Sequence, residues 1–526
     1  MGEVKKEEKK VSRRDYLKYT GAAIGGLVVG GALGYLAKPA EVIKETVTAP
    51  GVEKTVTVTA PGIEKTVTVT KTAPITETIP TTQIITTSET IKPPELPKLT
   101  EPTTPIKLTF WKWQAIALTD ERIQSIVNIW NTLHPNVKIE FTVMPELSEP
   151  EFIAKVEQAT EAGTGPDIIH TSDNDAVTLA YDGYFAEAPE AIRKIVDYYV
   201  LPPFNEILYL WGPDMVKRMY AFPGFRGGAA KLGWVNEYHL EEAGLPRDWD
   251  PADWNELIDV AKKLTKYDSA GNLVRSGLFL RIAGHVGGIW DKFMPLFLSA
   301  GGRGIWYEGG KWHTDLDSQI ARDVVQLYLD VLYKYKIYQP GFPGDVTALA
   351  NEQISMQVPR ENSEVIPVML KVKPEKFSGP EGPKGFHAFA VPPPKKGMPS
   401  KTWLDMHMVA VNSKSPPEKQ RWAFQFIGWV MSNKDVKLKL YNEIGQWAPF
   451  KDIVNDPPFN SPFYQKLTEL MKTGTSRLFH PLAATIAYDG GTVLSRIFNR
   501  EISPEDGLKE LARVVLEDAN KIVKKS

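Results

Sequence analysis

At 526 residues the chain is long enough for two or three ordinary domains, or for one large two-lobed one. Its composition, 42% hydrophobic and 24% charged, is globular, and a formal charge of −2 offers no whole-chain basic field of the kind nucleic-acid binding uses. The absence of cysteine excludes disulfides, thiolate metal sites, a cysteine nucleophile and a lipid-modified cysteine anchor.

Residues 1–18 form a basic segment in which Lys5, Lys6, Lys9, Lys10, Arg13, Arg14 and Lys18 outnumber four acids. No charge follows between Tyr19 and Ala37. At about 1.5 Å per residue that uncharged run spans roughly 28 Å, close to a hydrocarbon core of ~30 Å, so 19–37 reads as one transmembrane or signal helix. The positive excess before it places the N-terminus in the cytoplasm and the remainder outside, a single-pass anchor at the cell membrane. Ser12-Arg13-Arg14-Asp15-Tyr16-Leu17-Lys18 resembles the twin-arginine export signal, with Tyr16 in place of the usual Phe; a plain stop-transfer helix is the alternative. Ala40 offers a small residue for cleavage but Lys38 stands at the second small position, so an uncleaved anchor is expected.

Residues 41–105 are rich in Thr, Val and Pro and contain an 11-residue repeat, Val47-Thr-Ala-Pro-Gly-Val-Glu-Lys-Thr-Val-Thr57 followed by Val58-Thr-Ala-Pro-Gly-Ile-Glu-Lys-Thr-Val-Thr68. With no aromatic residues to bury, this segment reads as an extended stalk. The TVTVT runs could instead pair as strands between neighbouring chains, and the threonines could carry O-linked sugars. No Asn-X-Ser/Thr acceptor occurs anywhere.

From Ile106 the pattern alternates. Ile106–Trp111, Val137–Val143 and Pro166–His170 read as strands, and the segments Asp120–Leu133 and Glu151–Ala162 between them as helices. That rhythm implies parallel strands with helical crossovers and an α/β domain. Further helices are expected at Asp253–Lys266, Ser318–Tyr335, Pro417–Ser432 and Pro504–Lys524, with strand-like character between Gly385 and Val411.

A series of motifs in this order resembles family 1 extracellular solute-binding proteins of ABC importers, of the maltose/trehalose-binding type. They are Leu133-His-Pro-Asn-Val-Lys-Ile-Glu-Phe141, Ala162-Gly-Thr-Gly-Pro-Asp-Ile-Ile169, Tyr220-Ala-Phe-Pro223, Leu232-Gly-Trp-Val-Asn236, Glu242-Ala-Gly-Leu-Pro246, Asp253-Trp-Asn-Glu-Leu257, the stretch Gly445 to Pro449, and Ile502-Ser-Pro-Glu-Asp-Gly-Leu508. The resemblance covers nearly all of 106–526. Trp234 stands where a Tyr is common, and Gln357–Asn362 replaces an aromatic-bearing stretch, so it leaves the sugar open.

The resemblance implies a two-lobed periplasmic-binding-protein fold (type II-like) with a ligand cleft between the lobes. Lobe 1 is expected at about 106–222 and 388–435, lobe 2 at about 223–387 and 436–526, joined by hinge crossings. It also implies a small-molecule carbohydrate ligand, partnership with an ABC permease and its separate ATPase, no cofactor and no catalysis. A sugar presents apolar faces and a hydroxyl rim, so its site needs flat aromatics and planar polar groups. Trp111 and Trp113 share a face of the first strand, and Trp113, nearer the loop, is expected in the cleft. Asp173 and Asn174 follow the third strand where the family places a ligand-contacting carboxylate; capping the next helix is the alternative. Phe225 and Arg226 fall at the first interlobe crossing, and Trp290, Trp403, Asp405 and Trp447 at positions where members line the cleft.

The chain has no G-x-S-x-G, H-E-x-x-H or Walker motif, and Asp268-Ser-Ala-Gly-Asn272 reads as a turn rather than a calcium loop. Two other classes remain open on sequence: a surface structural or adhesive protein reusing the fold, and a cell-surface glycoside hydrolase, since carboxylates are plentiful.

Overall fold

Burial alternates along the strand β1 (Ile106–Trp113), where Leu108, Phe110 and Lys112 point inward while Trp111 and Trp113 occupy the opposite, half-buried face. In this computed structural model residues 54–60, 63–69, 92–113, 117–144, 147, 149–441, 447–477 and 480–522 are described. The basic segment and the uncharged run of 19–37 therefore lie outside the described residues. Among the described residues no helix is long and apolar enough to cross a membrane.

Residues 1–90 and 91–526 are separate units. In the first, Lys54–Ala60 and Ile63–Val69 pair as antiparallel strands, Lys54 opposite Val69 and Ala60 opposite Ile63. The first strand spans the junction of the two repeats and folds back on the second across Pro61-Gly62. Alternating Val and Thr favour a pleated strand, and each run is long enough to close seven facing pairs.

In the second unit β1 is flanked on both sides by parallel neighbours, as the helical crossovers require. Ile106 faces Val137 on β2 (Val137–Met144), and Phe110 faces Ile168 on β3 (Ile168–Thr171). The crossovers are helices α1 (Ala117–Leu133) and α2 (Glu149–Glu161). After β3 come α3 (Asp173–Tyr181) and the long β4 (Ala221–Asn236). Helix α4 (Val286–Ser299) precedes β5 (Met356–Glu361), β6 (Phe386–Phe389) and β7 (Thr402–Val411). Helix α5 (Pro417–Ser432), strand β8 (Gly474–Ser476) and helices α6 (Ala483–Phe498) and α7 (Pro504–Ala519) complete the elements needed here. The sheet has eight strands, in the order β5-β4-β7-β3-β1-β2, with β6 on β4 and β8 on β7.

Aromatic side chains fill the first half of the core. Phe110 meets Phe426 of α5 edge-on at 6.3 Å, and Phe426 meets Trp130 of α1 at 5.3 Å. The second half is organised around α4, whose residues from Gly287 to Ser299 are buried except Asp291. Because α4 is apolar on nearly every side it shows little of the 3.6-residue contrast that marks a surface helix, and it was not foreseen.

One strand, β4, links the two halves. Its first part pairs with β7, Phe222 opposite Val409, and its last part pairs with β5, Lys231 opposite Glu361. Between these parts Gly224, Phe225, Arg226 and Gly227 together stand opposite the single residue His407, since Pro223 faces Met408 and Gly228 faces Met406. This wide bulge needs Gly227, whose φ is +82°, and Gly224, where a Cβ would lie 2.2 Å from the His407 carbonyl oxygen.

Near the C-terminal helix His480 is buried as a neutral imidazole. Its Nδ1 accepts from the Leu482 amide at 2.9 Å, and Nε2 donates to the Ala519 carbonyl at 3.1 Å. Burial pushes this group down to about 4, and His239 likewise to about 3. The unfolded chain takes up these protons near 6.5 and the folded one does not, so their contribution is intact above pH 6.5 and lost as pH falls toward 4. His480 alone accounts for on the order of 3 kcal/mol over that window. Denaturant midpoints measured from pH 7 to pH 4 should fall with acidity, and His480→Gln should flatten that slope.

Candidate functional site

The β4 bulge, the first turns of α3 and α4, the end of β5, the middle of β7 and the start of α6 surround a cavity of about 1010 Å³. Its floor is ionic. Lys231 of β4, fully buried, contacts Asp405 of β7 and lies 2.7 Å from Glu361 of β5 and 3.9 Å from Asp291 of α4. Lys292 of α4 contacts the same Glu361. Arg477, just after β8, grips Asp173 of α3 with two donors, Nε at 2.8 Å from Oδ2, and donates through Nη1 to Asp291 at 2.8 Å.

Electrostatics keep Lys231, Glu361 and Arg477 charged, whereas burial raises the Asp173 carboxyl in spite of Arg477. Burial would lower the Lys231 ammonium, yet Asp405, Glu361 and Asp291 hold it above its usual range. Burial would raise the Glu361 carboxyl, but Lys231, Lys292 and Arg360 keep it well below the carboxylate range. Arg477 is raised in the same way by Asp173, Asp291 and Asp405 against the effect of burial. For Lys292 burial prevails over Glu361 and its ammonium falls to about 8. Ion pairs this deep are expensive to desolvate and costly to break singly, because the partner is left as an uncompensated charge.

Beside this floor the bulge presents Arg226, whose Nη1 donates to His407 Nε2 at 2.9 Å. Burial, with Arg226 next in weight, holds His407 well below its ordinary value, so its ring is neutral and able to accept that bond. Trp113 stacks on the His407 ring at 5.9 Å and 26°, and its Nε1 donates to the Leu147 carbonyl at 2.8 Å. Tyr488 of α6, 54% exposed, offers a second aromatic wall, edge-on to His285 at 5.7 Å.

Of the residues singled out from sequence, Trp113, Asp173, Asn174, Arg226 and Asp405 line the cavity. Asp173 is not the helix cap; Ser172 is, accepting from the Asp175 amide, which leaves the Asp173 carboxylate for Arg477. Four others are corrected, since they are packed in the core rather than facing the cleft. Phe225 points away from Arg226 and meets Phe110 edge-on at 6.2 Å. Trp290 lies on Gly490 of α6, where a Cβ would sit 2.6 Å from its ring, and 6.4 Å from Trp403. Trp403 is itself 3% exposed on β7, held between β4 and β8. Trp447 packs on Phe204 at 5.0 Å and donates to the Thr468 hydroxyl at 2.8 Å. Each fills a gap facing small residues or another ring, and an indole removes enough area from water to make the core its favoured place.

Lys231, Asp291, Lys292, Glu361, Arg477 and Tyr488 were missed. A charged pair, Asp291-Lys292, inside an otherwise apolar helix and a lysine inside an apolar strand were visible signals of buried charge. Arg477 carried none.

A family model described as bacterial extracellular solute-binding protein matches residues 112–437. An uncharacterized lipoprotein in the oleD 5′ region of Streptomyces antibioticus is 26% identical over 167 residues, 31% of this chain and 34% of that protein, so the match spans about a third of the relative's length. Among solved structures, an ABC transporter solute-binding protein of Thermotoga lettingae bound with alpha-D-tagatose has a TM-score of 0.62 at 20% identity, covering 78% of this chain and 99% of that one. A maltose-bound protein of T. maritima gives the same four values. A cyclic alpha-maltosyl-1,6-maltose binding protein of Arthrobacter globiformis has a TM-score of 0.62 at 16% identity, over 79% and 100% of the two chains. These structural likenesses are likenesses of fold.

Arg477→Met should strand Asp173, leave Asp291 with Lys231 at 3.9 Å, and cost about 3–5 kcal/mol. Trp290→Ala should cost about 3–5 kcal/mol through the void it leaves. Trp113→Ala, half-buried at the cavity wall, should cost clearly less. Chemical denaturation of the three variants checks the order.

Proposed function

The chain belongs to the bacterial extracellular solute-binding protein family, and from that premise we propose that it captures a carbohydrate in the cavity beside the β4 bulge and delivers it to an ABC permease driven by a separate ATPase. It is a binding protein, not an enzyme. The observation that carries the sugar reading is the cavity itself: about 1010 Å³, walled by Trp113 and Tyr488 and floored by side chains fixed in ion pairs. A ring stacks on a sugar's C–H face, and locked carboxylates and guanidinium groups meet its hydroxyls without further ordering cost. Proteins of the same fold have been captured with tagatose, maltose and ribitol.

In this reading residues 106–222 and 388–435 act as one lobe and 223–387 and 436–526 as the other, pivoting where β4 and β7 pass between them. Closure of this kind around a ligand is a general property of hinged binding proteins. The ligand-binding set is Trp113, Asp173, Asn174, Arg226 and Asp405, joined by Arg477 and Tyr488. The finer assignments belong to the same proposal: a maltose-like ligand, a twin-arginine-type signal at Arg13-Arg14, and an N-terminal helix over 19–37 that tethers the domain outside the membrane.

A thermal-shift screen of the whole chain against mono-, di- and oligosaccharides tests it. A sugar at 100 times its dissociation constant should stabilise the fold by ~2.7 kcal/mol, and Trp113→Ala should weaken that sugar at least about 10-fold. Stabilisation by peptides or polyamines with none by any sugar would overturn the carbohydrate reading.

A further inference from the structure

Charge around the cavity is not evenly satisfied. The four carboxylates of the floor are held by Lys231, Lys292 and Arg477. Glu364, also on the wall, pairs with Arg360, and Asp175 accepts from the Thr171 hydroxyl at 2.6 Å. Asp489 sits against Asp518, where burial first and that neighbour second raise its carboxyl. Each acid on the wall therefore has a polar partner inside the protein, which for Asp489 is a second acid.

Two cations on the same wall are different. Arg226 has one polar contact, the neutral His407 ring at 2.9 Å. The Arg281 guanidinium lies over Gly288 at the start of α4, close enough that a Cβ there would meet it at 2.6 Å, and its polar contact is the His285 carbonyl at 3.5 Å. Among the described residues neither has a carboxylate within salt-bridge distance, though both face the cavity. Burial, followed by the like charge of Arg360, pulls Arg281 below its usual range, so its site disfavours the charge it carries. A half-buried guanidinium with unused donors and no carboxylate in direct contact gains most from an oxyanion, which accepts two parallel bonds from its fork.

We infer that the carbohydrate taken by this cavity carries at least one oxyanion, a uronate carboxylate or a phosphate, received by Arg281 and Arg226. Carboxylate and phosphate are equivalent to a guanidinium fork at this level, and both suit a cavity whose own acids are already spoken for. A neutral sugar would offer both guanidiniums hydroxyl acceptors but no counter-charge, and that difference would favour the acidic ligand. This inference rests on the carbohydrate reading above and puts an acidic sugar in place of the neutral, maltose-like one.

The test is titration of the whole chain, followed by tryptophan fluorescence, with matched pairs of sugars. One pair is digalacturonate and the same disaccharide with its carboxylates reduced to alcohols; the other is glucose 6-phosphate and glucose. The acidic member of at least one pair should bind at least 10-fold more tightly, with affinity falling as salt rises, and which pair responds tells carboxylate from phosphate. Arg281→Gln and Arg226→Gln should each reduce the acidic-to-neutral preference at least 5-fold, with Arg281→Lys retaining part of it and the denaturation midpoint recording that the variants fold. Equal or tighter binding of the neutral members, or a preference untouched in both variants, overturns the inference and leaves the sugar-binding reading standing. Failure of all four sugars while other sugars bind also overturns it; failure of every sugar removes both.

Discussion

The fold of residues 91–526 turns on one buried ionic network. Lys231 and Arg477 each contact carboxylates on different elements: Asp405 of β7, Glu361 of β5 and Asp291 of α4 for the lysine, Asp173 of α3 and Asp291 again for the arginine. Asp291 is common to both, so the two cations are not independent. Ionic contacts of this kind add little net stability over a well-packed apolar core, but they tolerate only one arrangement of their partners. The network thus does for geometry what the aromatic cluster around Phe110 and Trp130 does for cohesion. It ties helices α3 and α4 to the three paired strands β4, β5 and β7.

How much of this could be read in advance divides along physical lines. The strands Ile106–Trp113 and Val137–Met144 and the helices between Ile106 and Thr171 carry alternating or 3.6-residue patterns, whereas Ile168–Thr171, buried throughout, reads as a short apolar run. Their observed bounds differ from expectation by only a few residues, Ile106–Trp113 against Ile106–Trp111 for example. Helix α4 has no wet face to speak of, and its leading Gly284–Gly288 stretch reads as a turn, so its periodic signal was absent. The tryptophans failed for another reason. Whether Trp290 lines a cleft or fills a core depends on Gly490, far along the chain, which leaves the space that its indole occupies. A residue's own neighbours in sequence do not contain that information. Trp113 lines the cavity, and its setting is local, at the end of a strand opening toward a loop.

The charged floor follows the same division. Lys231 and Asp291-Lys292 break apolar runs and so advertise buried charge, even though nothing local names the partner. Arg477 sits in a loop where an arginine is ordinary, and only the fold reveals that it joins α3 to α4. Family resemblance directed attention to Asp173 and Asp405 through position alone, and both are carboxylates of the floor. It could not tell that their charges are consumed within the protein.

The bulge in β4 has a mechanical meaning. Hydrogen bonds of the sheet ladder are what resist bending of a strand, and between Pro223 and Gly228 that ladder has already been given up over four residues. A pivot placed there would bend without breaking further bonds to β7, though the Phe225 amide and Gly224 carbonyl keep their bonds to His170 and Tyr441. In the two-lobed reading proposed above, Arg226 would ride on that axis while Tyr488 and Arg281 would be carried through an arc. A group on the axle greets an arriving ligand; groups on the rim decide how long it stays.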